Sequence, residues 1–110
     1  AWYDTNSGGS THPVGQKKAN GLGIYDMHGN VWEWCSSKYK PYPYEADDGR
    51  EDLTDAGSHR VVRGGSWYND FRYCESARRI HRLLRPRRFS PTNCPAFYGF
   101  RLVVSAEVPQ

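Results

Sequence analysis

The sequence predicts an α+β domain built from short antiparallel strands and long irregular loops, with little helix. Three observations carry that expectation. The chain has 110 residues, which is room for one small core. Aromatic residues make up 15% of it and glycine contributes 11 positions, while aliphatic residues are few. Such a mix suits a core of flat rings rather than Leu/Ile stripes. Turn formers recur along the whole chain and leave only brief strand-like runs between them.

The elements follow in order. Residues 4–20 are dense in Gly, Ser, Asn and Pro and are predicted to be an exposed loop. Tyr25-Asp26-Met27-His28 reads as one helical turn stopped by Gly29-Asn30, and Val31 to Trp34 alternate as a strand does. Residues 36–59 are polar, acidic and rich in Pro and Tyr, which predicts a long surface loop. Arg60-Val61-Val62-Arg63 is a short strand, and Gly64-Gly65-Ser66-Trp67 a tight turn or bulge behind it. Cys74 to Arg82 is read as including a short helical stretch, with Pro86 ending any helix. Residues 83–98 carry three prolines and no period, and are read as loop. Gly99 to Val104 is the closing strand, and the whole of 1–110 is taken as a single domain.

Charge is polarised. Residues 1–59 hold five Lys/Arg against nine Asp/Glu, whereas residues 60–101 hold ten Arg against two acids. A basic half of this kind suits an acidic partner, a nucleic acid or a membrane surface, and charge alone does not choose among them. No apolar run is long enough to cross a bilayer, and no basic-plus-apolar leader opens the sequence. The start at Ala1-Trp2-Tyr3 leaves a longer parent, a lost leader or an upstream domain open, and with them display on a surface or secretion. Cys35, Cys74 and Cys94 lack the spacing of a zinc site. One disulfide with a free thiol and three thiols both fit the sequence.

Three blocks are more specific than this: Asn20 to Trp34, then Arg60 to Trp67, then Gly99-Phe100-Arg101-Leu102. Taken in order, with Thr11-His12-Pro13-Val14-Gly15 ahead of them, they closely resemble the signature of the formylglycine-generating enzyme (sulfatase-modifying factor) family. The resemblance covers the second half of the usual domain and implies a C-type-lectin-like fold. It also implies a structural calcium ion held by the carboxylates of Asp26 and Glu33 and the backbone carbonyls of Gly29 and Val31, an oxygen set that calcium favours. The alternative is that both acids cap turns or pair with arginines. No catalytic cofactor is expected. The family's oxidase binds copper through two cysteines five residues apart, as soft thiolates do for Cu(I). Here the second position falls on Cys74 and the first on Asn69, so oxidase activity is not expected.

The stretches 68–73 and 80–98 contain no Lys, Glu, Gln, Met or Trp, the residues that a codon ending in a pyrimidine cannot encode. They lie between Arg63-Gly64-Gly65-Ser66-Trp67 and Gly99-Phe100-Arg101. This pattern resembles the variable region of proteins diversified by retroelements, which implies a non-catalytic binding module. Its ligand-binding candidates are Tyr68, Asn69, Asp70, Phe71, Arg72, Tyr73, His81, Arg82, Arg85, Arg87, Phe89, Asn93, Phe97 and Tyr98. Tyr and Arg dominate the binding energy of many interfaces, and an acidic protein or cell-surface ligand would suit such a set. Trp32, Trp67 and Phe100 are expected in the core beneath it. Two alternatives stand beside this reading: the C-terminal part of a family oxidoreductase, and a nucleic-acid surface formed by the six arginines from Arg78 to Arg88. The second has no recognised nucleic-acid motif behind it. Some of these arginines could equally pair with the acidic loop 45–55.

Overall fold

In a computed structural model, which describes residues 1–54, 59–83 and 97–104, a four-stranded mixed sheet organises the chain. The strands are β1 (Trp32–Lys38), β2 (His59–Arg63), β3 (Arg79–Leu83) and β4 (Tyr98–Gly99), in the spatial order β3-β2-β1-β4. β2 runs antiparallel to both β1 and β3, and the short β4 lies parallel to β1. The only helix among the described residues is a single 3-10 turn, Phe71–Cys74. The α+β architecture with little helix is therefore as the sequence indicated.

Side-chain alternation sorts the sheet into two faces. Trp34 stands across from Val62 and Val62 across from Ile80, so these share a face with Trp32. Glu33 stands across from Arg63 and Arg63 across from Arg79, which places them on the other. Among the described residues the buried apolar set is small: Trp32, Val61, Val62 and Cys74. A core this size leaves much of the cohesion to polar groups, and buried polar groups must be hydrogen-bonded to be tolerated.

Asn30 shows how that works. Its side chain accepts from the His12 amide and donates to the His12 carbonyl, both at 2.9 Å. Its own amide donates to the Trp2 carbonyl, and its carbonyl accepts from the Trp67 amide. One buried residue thus ties the N-terminal loop to the Gly64–Trp67 turn, through its side chain to His12 and its backbone to Trp2 and Trp67. The His12 ring stacks on Trp2 at 3.7 Å, and Lys17 lies over the other partner of that pair, Trp2, at 4.0 Å. Gly29 is required beside it: its φ is +77°, and a Cβ there would stand 2.2 Å from the Trp2 carbonyl oxygen.

Several elements differ from the sequence reading. Tyr25–His28 is not a helical turn, because Asp26 takes a left-handed φ of 55° while its Oδ2 accepts from the Gly15 amide. The stretch read as helical after Cys74 is a turn followed by strand β3, whose ladder with β2 spans five residue pairs. Local helix preference yields there to sheet pairing. β1 continues to Lys38, so the surface loop begins three residues later than 36. The closing strand is two residues long, since Arg101 turns away to Glu33 and to the carbonyls of Tyr25 and Asp26. For the same reason Phe100 is not core: it is 74% exposed. Trp67 is half-buried rather than buried.

The loop after β1 is organised from within. Arg50, nearly fully buried, donates to both carboxylate oxygens of Asp48 and to the carbonyls of Pro41 and Pro43. Arg60, also buried, donates to the carbonyls of Ser36 and Asp52. Asp48 is held down to a pKa of about 2, chiefly by its hydrogen bond from Arg50. Of the arginines from Arg78 to Arg88, the two whose side chains are described, Arg78 and Arg79, lie over tyrosine rings rather than on acids of this loop.

Candidate binding site

Residues 66–74 form the ground of the site. Ser66 and Asn69 are tied by a 2.6 Å hydrogen bond from the serine hydroxyl to Asn69 Oδ1. That same oxygen accepts from Trp32 Nε1 at 2.8 Å, and the Asn69 carbonyl accepts from the Asp4 amide. Asn69 is thus turned inward and serves the scaffold. Gly65 allows the turn to close on the 3-10 helix, where a Cβ would come 2.7 Å from Cys74 Sγ. Asp70 caps that helix by accepting from the Arg72 amide.

Outward from this base stand Tyr68, Phe71 and Arg72, which are 66%, 65% and, for the arginine side chain, 71% exposed. Arg72 pairs with Asp70 at 2.8 Å, so its guanidinium is oriented but remains in water. Tyr73 is half-buried, with its ring edge-on to Trp32 at 6.1 Å and Arg78 above it at 4.8 Å. Phe97 comes from the far end of the chain and closes an aromatic triad with Trp67 and Tyr68, at ring separations of 5.3 to 5.8 Å. Its carbonyl accepts from the Trp32 amide. Tyr98 sits at the start of β4 with its ring 5.6 Å from Trp34.

The candidates therefore divide. Tyr68, Phe71 and Arg72 stand on the Trp32 side as exposed side chains, with Phe97 and Trp67, both half-buried, packed beside Tyr68. His81 does not join them. Its register opposite Val61 sends it to the other face, where it packs on Tyr39 and His59. The Arg82 side chain, Arg85, Arg87, Phe89 and Asn93 lie outside the described residues, as does Cys94.

The four residues expected to hold calcium line one open pocket of about 340 Å³. Asp26 Oδ1 is buried there without a hydrogen-bond partner, which is an open acceptor of the kind a cation takes. Both Glu33 oxygens, by contrast, receive Arg101, at 2.7 and 2.9 Å. The oxygen set fits calcium in composition, with the Arg101 guanidinium competing for half of it. No group of three or more His, Cys, Asp or Glu side chains forms a metal cluster among the described residues.

Cys35 and Cys74 are free thiols. Burial pushes both up from the ordinary thiol range, away from the reactive thiolate. No helix of the described residues is long and apolar enough to cross a membrane.

Comparison with known proteins places this geometry. The model of the sulfatase-modifying factor enzyme 1-like domain matches residues 1–106. The chain belongs to that family. It is 34% identical over 101 residues to the formylglycine-generating enzyme of Streptomyces coelicolor, covering 90% of this chain and 31% of that protein. It is 33% identical over 91 residues to the inactive Cα-formylglycine-generating enzyme 2 of Mus musculus, covering 83% of this chain and 25% of that one. Among solved structures, variable protein 1 of Treponema denticola matches with a TM-score of 0.63 and 35% identity, over 90% of this chain and 34% of that chain. The chain thus spans about a third or less of each of these proteins.

Proposed function

We propose that this chain is a non-catalytic ligand-binding module whose binding surface is the outward set Tyr68, Phe71 and Arg72, flanked by half-buried Phe97, on a lectin-like scaffold. The observation that carries the reading is the split within one short segment. Asn69 and Tyr73 face Trp32 and hold the fold, while Tyr68, Phe71 and Arg72 beside them project into solvent. Side chains placed this way can change without disturbing the core. They are also of the types that supply rigid contact area and bidentate charge at interfaces. The likeness to a variable protein supports the same reading. The ligand class is a protein or cell-surface group, with an acidic one favoured by the arginines.

Two experiments test it. In the gene, codons at positions 68–73 and 80–98 should end in pyrimidines, and purine-ending codons there would sink the diversification part of the proposal. In the protein, alanine at Tyr68 or Phe71 should cost at least tenfold in affinity for a ligand selected from a displayed peptide library, with the melting temperature held.

The oxidoreductase alternative draws on the similarity to formylglycine-generating enzymes. It needs a thiolate pair, and this chain offers Asn69 and a buried Cys74 whose thiol resists ionisation. Thiolate–Cu(I) absorption on copper titration of the reduced protein would restore it.

The calcium reading belongs to the same proposal as a structural element: Asp26, Gly29, Val31 and Glu33 hold the ion and Arg101 yields Glu33 to it. Calcium at a hundred times its dissociation constant should then add about 2.7 kcal/mol of stability by linkage, and Glu33→Ala should abolish the gain. An unchanged melting temperature at millimolar calcium would refute it.

A further inference from the structure

The face of the sheet opposite Trp32 carries a row of basic groups. Arg63 stands directly across from Arg79, and Val61 across from His81. His59 lies two residues before Val61 on β2, so all four point to one side. Like charges placed directly opposite on paired strands destabilise a sheet. The acid on this face, Glu33, stands across from Arg63 but is engaged by Arg101. Among the described residues Arg63 itself donates to neutral oxygens, the Ser76 carbonyl and the Tyr42 hydroxyl.

Arg79 is the centre of the row. Its guanidinium carbon lies 4.5 Å from the Tyr39 ring centroid and 3.9 Å from that of Tyr42. Among the described residues its side-chain N–H groups have neither a hydrogen-bond acceptor nor a carboxylate. Tyr39 links it to His81, whose ring is 4.7 Å away, and His81 meets His59 with the two Nδ1 atoms 2.6 Å apart. A guanidinium held against aromatic rings has little rotational freedom left to lose, and its N–H edge stays open for a planar, two-oxygen acceptor.

We propose that this face is a second binding surface, which takes an acidic peptide segment of a protein partner, with Arg79 receiving a carboxylate in bidentate fashion. Three features favour a peptide over a nucleic acid. A carboxylate matches the flat fork of Arg79. β3 is an edge strand among the described residues, and an extended chain can lie along such an edge. Side chains of an extended peptide also repeat at period two, as Arg79 and His81 do. This surface is on the opposite side of the sheet from Tyr68 and Phe71, so it stands or falls independently of the variable-surface reading.

The test uses the full chain at low salt and a labelled peptide alternating Glu and Val, followed by fluorescence anisotropy. Wild type should bind. Arg79→Gln should weaken binding at least tenfold, and Arg79→Lys should weaken it too, since charge remains but the fork is lost. Tyr68→Ala should leave it unchanged. Should the Arg79 variants fold poorly, the Arg79 Nε–H resonance of the wild-type protein must shift on peptide addition. Absence of binding, an Arg79→Gln variant that binds as wild type does, an unmoved Nε–H resonance, or displacement of the peptide by an equally charged single-stranded oligonucleotide more readily than by unlabelled peptide would each overturn the proposal.

Discussion

The two faces of this small sheet solve different problems. On the Trp32 face the side chains of Asn30, Ser66 and Asn69 are each satisfied by named donors or acceptors within the scaffold. The outward side chains Tyr68, Phe71 and Arg72 are then free to differ. On the Arg63–Arg79 face Arg79 is stacked on Tyr39 and Tyr42 and Arg63 is hydrogen-bonded, but among the described residues neither guanidinium has a carboxylate partner. As proposed, the first face separates the groups that hold the fold from the groups that would meet a ligand, and the second uses the same groups for both. Substitution should therefore have opposite signatures on the two sides.

The largest effect is expected at the base of the first face. Trp32→Ala removes the largest ring of a small core and leaves Asn69 Oδ1 only the Ser66 hydroxyl as donor, and should cost about 3–5 kcal/mol in chemical denaturation. A loss below 1 kcal/mol would mean that the face is not anchored as described. Asn69→Ala comes next. It leaves the Trp32 indole N–H and the Ser66 hydroxyl without their acceptor, which should cost roughly 1–3 kcal/mol. Tyr68→Ala, one residue away, should change stability by no more than about 0.5 kcal/mol. The contrast between neighbours sharpens the division more than either value alone.

A smaller effect concerns the loop that supports the second face. The Asp48 carboxyl, lowered to about 2 by Arg50, has a folded pKa below its unfolded value. Its contribution to stability is therefore present above the ordinary carboxylate range and is lost as pH falls toward 2. Carbon-detected NMR titration should find this carboxyl among the last to protonate, and Arg50→Gln should return it to the usual range. An Asp48 titrating normally in the wild-type protein would show that the loop is not held by that pair.

Much of the fold was legible because its strands are marked by alternation and its turns by glycine. Val61 and Val62 read as a strand and are one, and the block from Gly29 to Trp34 carries a turn entering a strand. What was not legible depended on partners distant in sequence. Arg79 to Leu83 has no strong strand pattern by itself and becomes a strand through pairing with β2. Asp26 looked helical beside Tyr25 and Met27, yet a hydrogen bond from Gly15 and a left-handed backbone settle it otherwise. In the site, composition pointed to residues 68–73 without telling inward from outward. Asn69 was grouped with Tyr68, and only the indole of Trp32, 37 residues earlier, separates them. The Tyr39–Tyr42–Arg79 cluster left a weaker trace, a Pro/Tyr-rich loop and an arginine whose meeting depends on the sheet.

The central claim is that the outward side chains vary on a scaffold that does not depend on them. The most direct measurement is a library randomised together at Tyr68, Phe71 and Arg72, sorted first for folding by thermal challenge and then for binding to unrelated targets. The account predicts that most members keep a melting temperature close to that of the parent and that different members bind different targets. A library in which most members unfold, or in which the folded members all keep the parent's target, would contradict it.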